Sequence, residues 1–207
     1  MSVQIRDIIT NDHKMRNIAI FASGSGTNAE NIIKYFSNRN SARVTLILSN
    51  KREAYVLKRA ATLGIKSFFF DRTDLYEKEN VLDYLSAYRI DFIVLAGFIW
   101  LIPENILNLY DRRIINIHPA LLPRYGGKGM YGERVHEAVI GNHEKESGIT
   151  IHFVNKVYDD GDIIFQARCN IEPWETPESL AKKIHALEYE YFPEKIEELV
   201  MKLPDMG

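Results

Sequence analysis

Asn116 and His118 stand two residues apart at the end of an apolar run, Ile114-Ile115-Asn116-Ile117-His118, and Pro119 closes that run. On an extended backbone, side chains at i and i+2 share a face, so an amide and an imidazole project side by side while Ile115 and Ile117 point the other way. Such a pair can donate to an oxygen that is gaining negative charge. The carboxyl end of a strand is also where open α/β sheets bind ligands. Pro119 and Pro123 bracket the exit from the run and stiffen it. The same two residues would serve equally as turn chemistry or as a satisfied surface pair, and spacing alone does not separate these readings.

A second stretch with chemical potential is Ser23-Gly24-Ser25-Gly26-Thr27-Asn28. It lies between an apolar strand, residues 17–22, and a helix over 29–35 that turns Ile32 and Ile33 inward. Main-chain N–H groups of such a loop, backed by the helix dipole, hold an anionic oxygen. Two glycines also occur in many ordinary turns. A dinucleotide site would want a third glycine where Ala29 stands and an acid closing the next strand, which ends instead on Asn50. No Lys-Ser/Thr pair supports a nucleotide P-loop. The stretch therefore reads as a monophosphate site, with Gly24 and Gly26 shaping it and Ser25, Thr27 and Asn28 as extra donors.

The elements that must position these groups alternate. The pattern predicts a strand over 43–49, a helix over 53–62 stopped by Gly64, a strand over 66–70, a helix over 74–88 and a strand over 91–96. The last is apolar on both faces, as in a central parallel strand. Gly97-Phe98-Ile99-Trp100-Leu101 stays apolar beyond it, which suits either a flat organic ligand or packing beneath a helix that starts at Pro103. Arg124 to Gly132 carries four glycines in its last seven residues and reads as a mobile loop. A helix over 133–140 ending at Gly141, a strand over 148–154 with one buried face, a turn at 158–161 and a strand over 163–167 follow as a hairpin. Thr176-Pro177-Glu178-Ser179 opens a long C-terminal helix carrying Leu180, Ile184, Leu187, Tyr191 and later Ile196 and Leu199. The expected architecture is a doubly wound, mostly parallel α/β sheet of Rossmann-like type, with a C-terminal hairpin and a long final helix. Residues 1–16 are expected to be an extension and 17–207 one domain.

The chain has 207 residues, 46% of them hydrophobic and 26% charged, which is enough to bury a full core. A net charge of −2 and a pI near 6.3 leave no footprint for nucleic acid. The single cysteine, Cys169, excludes an internal disulfide and a cysteine-built metal site, and fits a reducing compartment. Its strand position, with no evident base, speaks against a nucleophile. No apolar run reaches the length of a membrane span, and residues 1–15 lack the features of a signal or transit peptide. A cytoplasmic location follows as the expectation.

Asn116-Ile117-His118-Pro119-Ala120-Leu121-Leu122-Pro123 closely resembles the signature of folate-dependent formyltransferases, with Ala120 where that signature has serine. Ser23 to Asn28, Ser49 to Lys51, Leu95 to Phe98 and His152 to Gln166 extend the resemblance, specifically to the glycinamide ribonucleotide formyltransferase family, over nearly the whole chain after Arg16. The resemblance implies transfer of the formyl group of 10-formyltetrahydrofolate to the amine of 5-phosphoribosylglycinamide in de novo purine (IMP) biosynthesis. The enzyme would be a monomer or homodimer acting on small molecules, with no metal, nucleic acid or membrane partner.

Residue by residue, the resemblance makes Asn116, His118 and Asp159 the catalytic trio. It makes Gly24, Ser25, Gly26, Thr27 and Asn28 the substrate-phosphate loop and Glu188 a further substrate contact. Ile99, Trp100, Leu101 and Ile102 would line the folate pteridine, with Asn155 and Tyr158 on the opposite wall and Asn116 shared. Two departures stand out: Asp160 where the family often has glycine, and the long glycine-rich stretch Gly126 to Gly132.

In the chemistry this implies, an amine attacks the formyl carbon, and Asn116 with a protonated His118 donates to the developing oxyanion. His118, or a water beside Asp159, moves the proton to the departing nitrogen. The Asp159 charge is expected to raise the His118 pKa. His152 reads as a pocket-wall or core histidine. A formyltetrahydrofolate hydrolase or a sugar-nucleotide formyltransferase is the alternative within enzymes, and a non-catalytic nucleotide-binding module the alternative outside them.

Overall fold

The computed structural model describes residues 15–204, so residues 1–14 of the expected extension lie outside the described residues. Arg16 is already part of the first strand, β1 (Arg16–Phe21), where it pairs with Asp91 and donates to the Leu203 carbonyl at 2.6 Å. The chain continues as α1 (Thr27–Phe36), β2 (Ala42–Ser49), α2 (Tyr55–Thr62), β3 (Lys66–Phe69), α3 (Arg72–Tyr76), α4 (Asn80–Ala87), β4 (Phe92–Leu95) and α5 (Glu104–Leu109). It closes with β5 (Ile114–His118), α6 (Glu133–Gly141), β6 (Glu146–Phe153), β7 (Ile163–Asn170) and α7 (Pro177–Val200).

The seven strands form one sheet in the order β3-β2-β1-β4-β5-β6-β7. β1 to β5 run parallel, and β6 and β7 are each antiparallel to the neighbour before them. The chain winds outward in both directions from β1 and β4, so the crevice at their carboxyl ends is the switch point at which such sheets bind ligands. One face packs Ile18, Ile20, Val94, Ile115 and Ile149 against α1, α2, α6 and α7. The other packs Ala19, Phe21, Ile93 and Ile114 against α3, α4 and α5. Burying both faces of the central strands explains their unbroken apolar character.

Three elements differ from expectation, each for a local reason. The helix expected over 74–88 is two. Asp71 and Asp74 form a reciprocal capping box that starts α3 early, the Glu77 and Lys78 amides both return to the Thr73 carbonyl, and Asn80 Nδ2 holds Asp74 at 2.7 Å, so the charged stretch Glu77-Lys78-Glu79 becomes a turn. α6 runs through Gly141 and stops with His143 at φ +53°. β6 is buried on both faces, not one. Its buried Thr150 faces the loop after β5: Thr150 Oγ1 donates to the Ala120 carbonyl at 2.7 Å and accepts from the Leu122 amide at 3.0 Å.

α7 begins as expected, with Thr176 and Ser179 in a capping box and Pro177 in the first turn. Its fully buried stripe is Leu180, Ile184, Glu188, Phe192, Ile196 and Val200, every fourth residue, while Leu187, Tyr191 and Leu199 flank it half-buried. An acid therefore sits in an otherwise apolar seam. Pro193, inside the helix, has no N–H for the Tyr189 carbonyl. That carbonyl is taken instead by Asn31 Nδ2 of α1 at 2.9 Å, which locks α1 against α7 where Glu188 lies.

Candidate active site

A cavity of about 520 Å³ opens at the carboxyl ends of β1, β4 and β5. One end is the loop between β1 and α1. Gly26, with φ +75°, is the N-cap of α1 and supplies no side-chain cap, so the first helical N–H groups face outward for an anion. α2 braces the loop from behind: the Val56 amide donates to the Gly24 carbonyl at 3.1 Å and Arg59 Nε to the Ser25 carbonyl at 2.9 Å. A Cβ on Gly26 would stand 2.4 Å from Val56 Cγ2, so this glycine is needed for space as well as for conformation. Asn50, where a dinucleotide site would carry an acid, accepts from Ser23 Oγ at 2.6 Å and ties β2 to β1.

Beside this loop Glu188 accepts from Asn28 Nδ2 at 2.8 Å. Burial pushes the Glu188 carboxyl up to about 7, with the Asn28 hydrogen bond pulling the other way. Asn28 Oδ1 is buried without a partner among the described residues.

Side chains from three elements meet at the other end, where Asn116, His118 and Asp159 line the cavity and His152 is buried against them. Asn116 and His118 come from β5, His152 from β6, and Asp159 from the turn after β6, where it has φ +54°. Asn116 Nδ2 donates to His152 Nε2 at 3.1 Å and, more loosely, to Asp159 Oδ1 at 3.4 Å. His152 Nδ1 donates to the Phe153 carbonyl at 2.8 Å, so the two partners dictate the tautomer of that ring. His118 Nε2 donates to the Tyr125 carbonyl at 2.7 Å, which leaves Nδ1 facing Asp159 Oδ2 at 3.5 Å. The Gly127 amide donates to the same oxygen at 2.9 Å.

The Asp159 charge raises the His118 pKa as expected, but the net shift is downward. Burial lowers its pKa below the ordinary value; the Asp159 charge and the Tyr125 carbonyl push it up but do not outweigh burial, and His152 adds to the lowering. Burial also pushes the Asp159 carboxyl up, but its contact with His152, the charge that His118 can carry and the Gly127 amide together hold it below the usual carboxylate range. The pair is a carboxylate beside a neutral imidazole whose Nδ1 can accept a proton. The Asp159 charge then stabilises the imidazolium that forms.

Gly24 to Asn28, Ile99, Trp100, Asn116, His118, Tyr158, Asp159 and Glu188 all line the cavity. Ile102 does not: it is buried in the core under α5 because it leads into that helix. Leu101 presents its carbonyl to the Tyr76 hydroxyl at 2.9 Å, and Asn155 accepts from the Val157 amide at 2.8 Å, shaping the turn rather than the cavity wall. Ala120 is fully buried, where a serine hydroxyl would need a partner. Asp160 is exposed and tolerated, whereas a Cβ on Gly161 would lie 1.7 Å from the Phe153 carbonyl, so the obligatory glycine of this turn is Gly161.

Sequence reading missed Arg72, Lys128, Arg134, His136 and His185, which also line the cavity. The Arg72 guanidinium lies 4.7 Å over the Trp100 ring. Burial lowers His136 to about 4, with His185 and His118 adding to the effect, and its Nδ1 has no hydrogen-bond partner among the described residues. His185 had a legible signal, because it precedes Glu188 by three residues on one helix and so shares its face.

A family model described as formyl transferase matches residues 16–196. The chain is 36% identical to the chloroplastic phosphoribosylglycinamide formyltransferase of Arabidopsis thaliana over 90% of its own length, and it spans 66% of that relative. It is 34% identical to the phosphoribosylglycinamide formyltransferase of Bacillus subtilis, covering 90% of this chain and 95% of the relative. The crystal structure of the Anaplasma phagocytophilum phosphoribosylglycinamide formyltransferase superposes with a TM-score of 0.83 at 32% identity, covering 91% of this chain and 88% of that one. With a family match across its sheet and both ends of its cavity, the chain belongs to the formyl transferase family.

Proposed function

We propose that the chain transfers the formyl group of 10-formyltetrahydrofolate to the amine of 5-phosphoribosylglycinamide, a step of de novo purine (IMP) biosynthesis. The observation that carries this reading is the cavity's division into an anion-ready helix start with a buried acid at one end and the Asn116, His118 and Asp159 cluster at the other. The first end suits the phosphate and ribose of the amine substrate. The shelf of Phe98, Ile99 and Trp100 suits a flat pteridine, and Tyr158 lies on the same cavity.

The folate supplies a formyl carbon on nitrogen. As the amine adds to that carbon, the carbonyl oxygen gains charge, and the loosely held N–H of Asn116 is free to turn toward it. His118 Nδ1 takes the proton that the amine loses, forming an imidazolium paired with Asp159. The same proton passes to the folate nitrogen as the old carbon–nitrogen bond breaks, which returns His118 to its neutral form. No covalent enzyme intermediate is required, and half-buried Cys169, whose thiol burial pushes up, stays outside the chemistry.

The test is to incubate the purified chain with 10-formyltetrahydrofolate and follow release of tetrahydrofolate. Release only when 5-phosphoribosylglycinamide is added is the expected outcome. Release without it would make the chain a hydrolase, and no release with either mixture would overturn the reading in favour of a formyltransferase for another amine or a binding module.

A further inference from the structure

Tyr125, Gly126 and Gly127 support the reaction centre from behind. The Tyr125 carbonyl accepts from His118 Nε2 at 2.7 Å, and two residues later the Gly127 amide donates to Asp159 Oδ2 at 2.9 Å. Gly126 between them packs too closely for a side chain, since a Cβ there would lie 2.5 Å from Leu122 Cδ2 and 3.2 Å from Asp159 Cβ. Tyr125 itself has φ +59°, in the left-handed region. A residue other than glycine is held there only when its surroundings over-determine it.

Those surroundings lie on the outer side of the loop. The Tyr125 hydroxyl donates to Glu144 Oε1 at 2.6 Å and accepts from Asn142 Nδ2 at 3.0 Å, and Arg124 pairs with the same Glu144 oxygen. Asn142 and Glu144 belong to the tight turn that leads from α6 to β6. We infer that the Tyr125, Asn142 and Glu144 cluster is a positioning device that holds the 125–127 turn and thereby sets the His118 tautomer and the Asp159 orientation.

The tautomer is what matters. With Nε2–H committed to the Tyr125 carbonyl, a neutral His118 must carry its lone pair on Nδ1, on the side of Asp159. Were that carbonyl to turn away, the proton would move to Nδ1, where Asp159 accepts it. The lone pair would then sit on the wrong nitrogen, and His118 could not take a proton from the amine. Tyr125, Asn142 and Glu144 touch no substrate in this scheme and act through His118 and Asp159.

This inference deepens the formyl-transfer reading and rests on it, so its test includes a measurement that needs no substrate. The full chain, labelled with ¹⁵N-histidine, is compared with Tyr125→Phe, Glu144→Ala and Glu144→Gln. The ring nitrogens of His118 should report Nε2–H in the parent and move toward Nδ1–H in Tyr125→Phe and Glu144→Ala. In the same two variants kcat should fall about tenfold while KM stays within about twofold, as expected for loss of outer support to a reacting group. Glu144→Gln, which keeps an acceptor for the phenol, should recover most of the parent's spectrum and rate. An unchanged His118 signature in both Tyr125→Phe and Glu144→Ala would overturn the inference, as would an equal rise of KM in place of the loss in kcat. If Tyr125→Phe does not fold, Glu144→Ala carries the test. If the parent transfers no formyl group, the functional reading fails on its own, and the positioning role is still decided by the nitrogen spectra.

Discussion

At the Gly24–Asn28 end of the cavity the groups on offer are main-chain N–H groups and one buried acid, whereas at the Asn116–Asp159 end they are side chains carried by a strand and a distant turn. The first is made by local geometry: a strand, two glycines and a helix start place the donors wherever that sequence occurs. The second exists only because β5 pairs with β6, setting Asn116 opposite His152 and bringing Asp159 round to both histidines. Burial also acts differently. At the first end it raises a carboxyl, and at the second it lowers an imidazole while hydrogen bonds keep the neighbouring carboxylate ionised.

The strongest test of this contrast is Asp159→Asn, which keeps the shape and removes the charge. Turnover should fall by about 10²-fold or more, the scale of losing support for a positioned acid–base group. Neutral His118 is the working base, so activity rises as pH passes upward through its pKa. The Asp159 charge raises that pKa, and its removal should therefore move the limb to lower pH. A pH–rate profile in which the limb stays in place would break the pairing of His118 with Asp159.

Gly26→Val tests the other end, where conformation and space are both restricted. KM for the phosphorylated substrate should rise about tenfold, with kcat much less affected because the reacting groups lie elsewhere. Unchanged KM in a folded variant would remove the phosphate assignment.

Glu188→Gln gives a smaller effect with a distinct pH signature. The folded carboxyl titrates near 7 against an ordinary value of 4.5, so the folded state holds its proton more tightly and stability falls as pH rises through that window. The upper limit of the loss is about 3 kcal/mol, complete above the folded pKa and absent below the ordinary one. A glutamine keeps an acceptor for Asn28 and has no charge to bury. The variant should therefore melt higher than the parent at pH 8 and equally at pH 4, while its affinity for the amine substrate drops. Parallel melting curves at all pH values would show that Glu188 is not charged against its surroundings.

The smallest expected effect concerns the stretch after Gly127. Gly129 and Gly132 have positive φ with open space around them, and Lys128 to Gly132 line the cavity without taking part in the Tyr125 cluster. Limited proteolysis between Lys128 and Tyr131 should slow when both substrates are present, since a ligand in the cavity would restrict this loop. Equal cleavage with and without them would make it a static wall.

The alternation of strands and helices, the glycine-rich loop and the Asn116–His118 spacing were legible in the sequence because each depends on neighbours in the chain. Apolar periods of two or four residues, a glycine that must adopt positive φ, and a capping box at Thr176 carry their meaning within a few positions. The single-helix reading over 74–88 failed within that same range, because side chains of Asp71, Asp74 and Asn80 hold the chain in a turn that apolar spacing does not record. Other features depend on partners far along the chain. Glu188 reads as one acid on an amphipathic helix until α1 packs against it and excludes water, and Ile102 reads as part of an apolar shelf until α5 draws it into the core. Residue types and strand spacing determine that His118 stands beside Asn116. Whether its imidazole is charged, and which nitrogen holds the proton, is decided only when β6, the 158–161 turn and Tyr125 close around it, because desolvation and hydrogen-bond partners are properties of the folded surroundings.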